Sequence, residues 1–379
     1  VSFHFDNLVE WLQDNLYNQQ SYCSSLRFPT FLNAQSAQIP VTDCERLPIF
    51  QSELLTLLEK QNYFIVGGEQ YLVSSVNAQA LTSLQAFAYL LTLYAYTVFI
   101  ENELNSVMHP SLRFECSTTI PIGAGLGSSA AFSVSISAAF LLCPYLLHHT
   151  NPNFHRKITL SQAMLYYINR WGFLVETLIH GTPSGVDNYC ATFGGFVRYI
   201  KGEKPKRFLS SSPNLTGLEL IVTNTCVARS TKALVAHVRD QYQKDTHQME
   251  KILDQIESVV EQSQKTIVEI YQSSGDQQSL DKVYTQLEAL IDQNHKLLNT
   301  IGVGHASLDQ VAQIAQTSCD YHSKLTGAGG GGCIFTLVNP FKKAHVDLLK
   351  QALAKAGFQQ AFQTVLGGSG LQIALKKHN

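Results

Sequence analysis

The sequence predicts an α+β protein of two domains, residues 1–213 and 214–379, and three observations carry that expectation. The first is size, because 379 residues exceed what one hydrophobic core ordinarily holds. The second is a β-type run, a glycine loop and an apolar helix in succession within the first half. The third is the order strand, helices, strand, glycine run, strand, helix, strand after residue 218. That is a βαββαβ arrangement with extra helices, which suggests a ferredoxin-like second domain.

At the start, Val1, Phe3 and Phe5 alternate with Ser2, His4 and Asp6, the period of a strand, and the spacing turns helical at Leu8, Trp11 and Leu12. The sequence opens on Val inside this pattern, so upstream residues are expected. Residues 13–50 are polar and turn-rich. An apolar helix follows Leu84 and ends near Glu101, and a β-type run covers Arg113–Ile120 before the glycine loop. Helices are expected at Ser128–Leu142 and Ser161–Ile179, the latter stopped by Gly181 and Pro183, with strand character returning at Phe193–Val197. The polar cluster Ser210–Asn214 marks the domain boundary. Beyond it the spacing predicts a strand at 218–224, amphipathic helices over 231–272, 279–298 and 307–317, a strand, the glycine run, a strand at Cys333–Val338, a helix at 342–356 and a strand at 361–375.

Composition excludes several classes of function. A net charge of -2 gives no global attraction to nucleic acid or to an anionic membrane, so any anion site must be built locally from loops and dipoles. Tyr71–Ile100 and Cys116–His155 contain no Asp, Glu, Lys or Arg, but polar residues interrupt the first, and Gly123, Gly125, Gly127 and Pro144 break the second. Both read as buried core helices and not membrane spans. The eight cysteines show no CxxC pair or regular spacing, which suggests reduced thiols and a cytoplasmic protein. His148, His149 and His155 fall among Pro and Asn with no carboxylate or thiol nearby, the pattern of a solvated loop.

Three segments carry chemistry. Gly123-Ala124-Gly125-Leu126-Gly127-Ser128-Ser129 lets the backbone curl closely and delivers it into a helix N-terminus, whose free N–H groups suit polyphosphate; a tight turn with Ser capping is the plain alternative. No Lys follows the glycines, so this is not a Walker loop. In Glu176–Asn188 one carboxylate ends a helix and Asp187 follows a Gly-Pro turn, so two acids can face one pocket. Phosphorylation of an alcohol needs such a pair, one to hold a cation and one to orient or deprotonate the hydroxyl. Ser184-Gly185-Val186-Asp187 also reads as a capping box with Asp at N3. Finally, Gly327-Ala328-Gly329-Gly330-Gly331-Gly332, between Lys324-Leu325-Thr326 and Cys333, admits nothing bulky and demands close approach to another strand or to phosphates, with a flexible linker as the alternative.

These three segments in this order resemble the GHMP kinase superfamily, whose members hold ATP on a glycine-serine loop. His180–Asn188, Thr223-Asn224-Thr225 with Arg229 and Thr231, Gly302–Asp309 and the Lys324–Cys333 loop resemble, within it, the mevalonate kinase family of the animal type. The likeness runs from about Phe114 to the end. It implies an N-terminal domain of the ribosomal-protein-S5 type and a ferredoxin-like C-terminal domain. It implies ATP and Mg²⁺ as cofactors and phosphorylation of the 5-hydroxyl of mevalonate, with Asp187 as the catalytic carboxylate. Ser129 and Glu176 would hold Mg²⁺, Thr118 and Gly123–Ser129 would bind ATP, and Thr231 and Arg229 would place substrate or phosphate. Gly327, Ala328, Gly329 and Gly330 would lie beside the site.

The same resemblance leaves open a phosphomevalonate, homoserine or galactose kinase, a non-catalytic sensor of the same fold, and a homodimer. The family's N-terminal motif, with a phosphate-contacting lysine and a glutamate-histidine pair, has no match before Gly123. The polypeptide as given is therefore expected to be unstable or poorly active.

Overall fold

The computed structural model describes residues 63–66, 69–72, 116–121, 124–149, 156–180, 182–210, 218–273, 277–342 and 346–375. The expected elements at 1–12 and 84–101 lie outside these residues, as do residues 211–214 of the expected boundary turn and Gly123. The chain divides into two compact units. One takes residues 1–117, 129–192 and 371–379; the other takes 118–128 and 193–370.

In the first unit, β1 (Tyr63–Val66) and β2 (Glu69–Leu72) form an antiparallel pair. Residues 116–119 carry no strand, against the β-type run expected through Ile120. Helix α1 (Ser128–His149) runs past Pro144, beyond the expected end at Leu142, and so takes in His148 and His149, which the sequence pattern assigns to a loop. Strand β3 (Arg156–Ile158) pairs with β10 (Ile373–Leu375), which closes the unit with the far end of the chain.

Helix α2 (Gln162–His180) begins at Ser161, whose Oγ accepts from Met164 N at 3.2 Å. It buries Ile168, Trp171, Gly172, Val175 and Glu176, one stripe at helical spacing. A Cβ at Gly172 would lie 2.9 Å from Val134 Cγ2, so the glycine permits close approach of α2 to α1. Helix α3 is Val186–Phe193. It starts one residue later than a capping box on Ser184 requires: Ser184 Oγ accepts from Val186 N at 3.4 Å, and Asp187 is the second helical residue and not the third.

The second unit holds the hairpin β4 (Phe196–Arg198) and β5 (Lys206–Leu209), and then a four-stranded antiparallel sheet. Its strands are β6 (Glu219–Asn224), β7 (Ser323–Leu325), β8 (Cys333–Leu337) and β9 (Gln360–Val365), in the spatial order β7-β8-β6-β9. Counted along the chain this is 2-3-1-4, the ferredoxin-like order the sequence predicts. Between β6 and β7 run α4 (Thr231–Lys244), α5 (Thr246–Gln272), α6 (Gln277–Thr300) and α7 (Ala306–Cys319). The single helix expected over 231–272 is broken at Asp245, which ends α4 and caps α5 by accepting from Gln248 N at 3.0 Å. Helix α8 (Val346–Lys355) precedes β9.

One apolar cluster joins Ile221 and Ile334 to Met249, Leu308, Val311, Leu349 and Leu353. A second joins Leu220 and Leu337 to Ile270, Tyr284, Leu287 and Ile291. Among the described residues no helix is long and apolar enough to cross a membrane.

Candidate functional site

In the first unit the close approach of α1 and α2 at Val134 and Gly172 brings the next turn of α2 against α1 as well. On that turn Glu176, 4% exposed, continues the buried stripe where an apolar residue would ordinarily sit. Its two oxygens are met by hydroxyls one turn apart on α1: Ser133 Oγ donates to Oε1 at 3.0 Å and Ser129 Oγ to Oε2 at 3.3 Å. His180, one turn beyond Glu176, brings Nε2 to 3.0 Å from Ser129 Oγ and 3.8 Å from Glu176 Oε2. Burial pushes the Glu176 carboxyl above its ordinary range; the Ser133 hydrogen bond, His180 and Ser129 oppose that shift, and the charge of Asp187 adds to it.

The two acids are therefore electrostatic neighbours, as their spacing suggested. Asp187 is exposed in the first turn of α3, where the helix dipole favours its charge. Asn188 fixes that turn to α2 by donating to Asn169 Oδ1 at 2.8 Å and to Asn169 O at 3.2 Å.

The donor set fits a hard divalent cation such as Mg²⁺. A carboxylate and a hydroxyl offer oxygen ligands, and an adjacent cation would reverse the burial penalty on Glu176. Among the described residues no cluster of three or more His, Cys, Asp or Glu could hold a metal by itself. Ser129 and Glu176 would hold Mg²⁺ only together with ligand phosphates and water, which is how this ion is usually bound.

In the second unit the expected phosphate loop and the second glycine run meet on one side chain, Arg229. Gly125 has φ +76°, and a Cβ there would fall on Arg229 Nη2. A Cβ at Gly327 would lie 3.0 Å from Nη2, and one at Gly332 3.0 Å from Nε. The guanidinium is thus walled by glycine backbone, and its Nη1 donates to Thr326 O and Gly329 O at 3.4 Å each. Backbone bonds tie the surrounding loops: Thr225 N donates to Gly332 O at 2.8 Å, Gly332 N to Val227 O at 3.2 Å and Gly330 N to Val303 O at 2.8 Å. The glycine run is accordingly a packed wall and not a flexible linker.

Thr118 Oγ1 accepts from Ile120 N at 3.0 Å, which fixes the approach to the phosphate loop. Ala124 is buried, Gly127 has φ +75°, and Ser128 opens α1. Thr231 is the first residue of α4, capped by Ser230, whose Oγ accepts from Ala233 N at 3.2 Å. Lys324 donates to Leu325 O at 2.9 Å and lies 5.1 Å from the Phe335 ring centroid, and burial pushes its ammonium down to about 8.

Ser133 is a site residue that no sequence motif singles out, and His180, although it opens the His180–Asn188 motif, was assigned no role there. Both stand four residues from predicted ones, Ser133 from Ser129 and His180 from Glu176, and that helical spacing was the available signal. Arg229, a secondary candidate in the sequence, is the centre of its loop cluster.

Comparison with known proteins identifies the family. Residues 89–195 match the GHMP kinases N terminal domain, and residues 278–360 match the GHMP kinases C terminal domain. Human mevalonate kinase is 39% identical over 265 residues, covering 70% of this chain and 64% of the human protein. Mouse mevalonate kinase is 38% identical over 288 residues, covering 76% of this chain and 69% of its own length. The chain thus spans about two thirds of the length of these relatives. A crystal structure of a mevalonate kinase shares the fold, with a TM-score of 0.51 at 20% identity over 80% of this chain and 83% of that one. With the mouse relative 38% identical and covered over 69% of its length, the chain belongs to the mevalonate kinase family of the GHMP kinases.

Proposed function

We propose that this chain transfers the γ-phosphoryl group of ATP to the 5-hydroxyl of mevalonate. The observation that carries the proposal is the buried Glu176, held by two α1 hydroxyls with the charge of Asp187 beside it. A pure binding module needs no such pair of acids. Asp187 takes or orients the proton of the attacking hydroxyl, and its exposure on α3 leaves it open to an alcohol. Gly125, Leu126, Gly127 and Ser128 offer backbone N–H groups to the phosphates, and Arg229 adds a fixed positive charge beside Gly125. Mg²⁺ at Ser129 and Glu176 would neutralise charge on the β and γ phosphates. Thr231 opens a helix N-terminus suited to an anionic group of the substrate. A cytoplasmic setting and a role in supplying isoprenoid and sterol precursors belong to the same reading.

The test measures ADP release with ATP and mevalonate, beside phosphomevalonate, homoserine and galactose as rival acceptors. Turnover with mevalonate above the rivals is expected. Asp187→Asn should cut it by about 10²–10⁴ while a fluorescent ATP analogue still binds. Unchanged turnover in that variant removes Asp187 from its role.

A further inference from the structure

The guanidinium of Arg229 is held by two carbonyls, those of Thr326 and Gly329, and the first of these belongs to the residue after β7. Among the described strands β7 is the edge of its sheet and is bonded to β8 alone. Thr326 N points inward and donates to Cys333 O at 3.2 Å. The alternation of strand N–H groups then turns Leu325 N outward, where an edge strand ordinarily presents a bare donor. Here it meets a side chain from α6: Leu325 N donates to His295 Nδ1 at 3.3 Å. An imidazole that accepts at Nδ1 carries its proton on Nε2, and Nε2 lies 3.0 Å from Asp309 Oδ1 on α7. Asn299 Nδ2 donates to the same oxygen at 2.9 Å. His295 is 8% exposed, while Asp309 sits at a half-exposed position.

We propose that His295, fixed by Asp309 in the tautomer that carries its proton on Nε2, is a positioning residue that caps Leu325 N–H at the edge of β7 and so sets the Thr326 carbonyl against Arg229. The chain of contacts runs from Asp309 to His295, to Leu325, to the adjoining Thr326 and to the guanidinium beside Gly125, all within one unit. His295 touches no ligand in this scheme. Its effect reaches nucleotide only through the loop, and that consequence rests on the proposed binding of ATP. Packing alone would ask only for volume at this position. The two hydrogen bonds ask for an acceptor facing β7 and a donor facing α7, which glutamine also supplies and leucine does not.

The test uses the full chain and a fluorescent N-methylanthraniloyl ATP, with amide hydrogen exchange monitored over residues 323–333. His295→Leu should weaken nucleotide binding by about tenfold, the scale of one lost hydrogen bond at the top of its usual range, and should speed exchange at 325–332. His295→Gln should recover most of both. Asp309→Ala, at a half-exposed position that the fold tolerates more readily, should lose about threefold in affinity. It should also release the ring from its single tautomer, seen in the imidazole ¹⁵N shifts. Wild-type affinity and exchange in His295→Leu, or a His295→Gln variant as impaired as His295→Leu, overturns the proposal. If His295→Leu does not fold, Asp309→Ala decides alone, and an unchanged tautomer with unchanged affinity refutes the mechanism. A wild-type chain that binds nucleotide without phosphorylating mevalonate removes the proposed substrate and leaves this inference intact. If it binds no nucleotide, the exchange rates still test the capping of Leu325.

Discussion

Among the described residues each unit buries one glutamate, and the two are treated in opposite ways. Glu176 in the first unit is 4% exposed and Glu288 in the second is 3% exposed, so both carry the desolvation cost of an interior carboxylate. Around Glu288 the chain supplies its own counter-charge. Lys342 Nζ lies 3.0 Å from Oε1 and also 2.9 Å from Asp320 Oδ2, and His322 Nε2 lies 3.9 Å from Oε2. Around Glu176 it supplies two neutral hydroxyls and a half-exposed histidine. A buried acid whose charge is matched within the fold is a structural element. One left with hydroxyls and a raised pKa is suited to a cation from outside, which is what the role proposed for Glu176 requires.

Removing the charge of Glu176 in one cluster, and the counter-charge of Glu288 in the other, should break the comparison most sharply. Glu176→Gln keeps the shape and can keep both serine contacts, but it removes the charge a cation would need. Turnover should fall by about a hundredfold or more, since a catalytic cation contributes several kcal/mol to the transition state. The unliganded protein should meanwhile become more stable by about 1 kcal/mol near neutral pH, because a carboxyl with a raised folded-state pKa is destabilising once ionised. Thermal melts without ligand, together with steady-state rates, check both signs. A fall in stability together with the fall in rate would make Glu176 a structural acid like Glu288. The mirror experiment is Lys342→Met. It strands Glu288, so stability should drop by about 2–3 kcal/mol in denaturant titrations while kcat stays near wild type in the folded protein. A large loss of kcat at full stability would mean that the second cluster also serves the reaction.

How far such a distinction can be read from sequence depends on how local its cause is. The ferredoxin-like order was legible because strand period, helix period and glycine punctuation are all short-range, and the 2-3-1-4 sheet follows from them. Glu176 was legible as an acid ending a helix. That it falls on the buried stripe with Ile168, Trp171, Gly172 and Val175 could also have been counted from the sequence. Ser129 was paired with Glu176 through the family resemblance, and Ser133 had only its spacing from Ser129 as a signal, because which face of α1 meets α2 is decided by the contact of Gly172 with Val134, 38 residues away in sequence. Arg229 was underweighted for a similar reason. The glycines that wall it come from segments about a hundred residues to either side, and no spacing rule links them. Asp245 breaks the 231–272 helix because its side chain caps α5 more favourably than the chain continues α4, a competition invisible to hydrophobic periodicity. The pairing of β10 with β3 joins residues more than two hundred apart, beyond any local signal.

The smallest predicted effect separates the two clusters by their response to pH. His322 Nδ1 lies 2.8 Å from Asp292 Oδ2, and that hydrogen bond is the main reason its imidazolium is favoured above the ordinary histidine value of 6.5. Burial opposes the shift, the charges of Asp292 and Glu288 support it, and Lys342 opposes it. With the folded-state pKa above that of the unfolded chain, His322 takes up a proton on folding. Its stabilisation is fully present below about pH 6.5 and is lost as pH rises through the folded-state value. His322→Gln should therefore lower the melting temperature at pH 6 by the equivalent of about 1 kcal/mol and have a progressively smaller effect toward pH 8.5. Glu176 gives the opposite contrast in the acid range. Because burial raises its pKa, wild-type stability relative to Glu176→Gln should improve as pH falls toward 4.5. A His322→Gln deficit that is flat from pH 6 to 8.5 would mean that the imidazole contributes by packing alone, and that the charge of Glu288 is matched by Lys342 without help from His322.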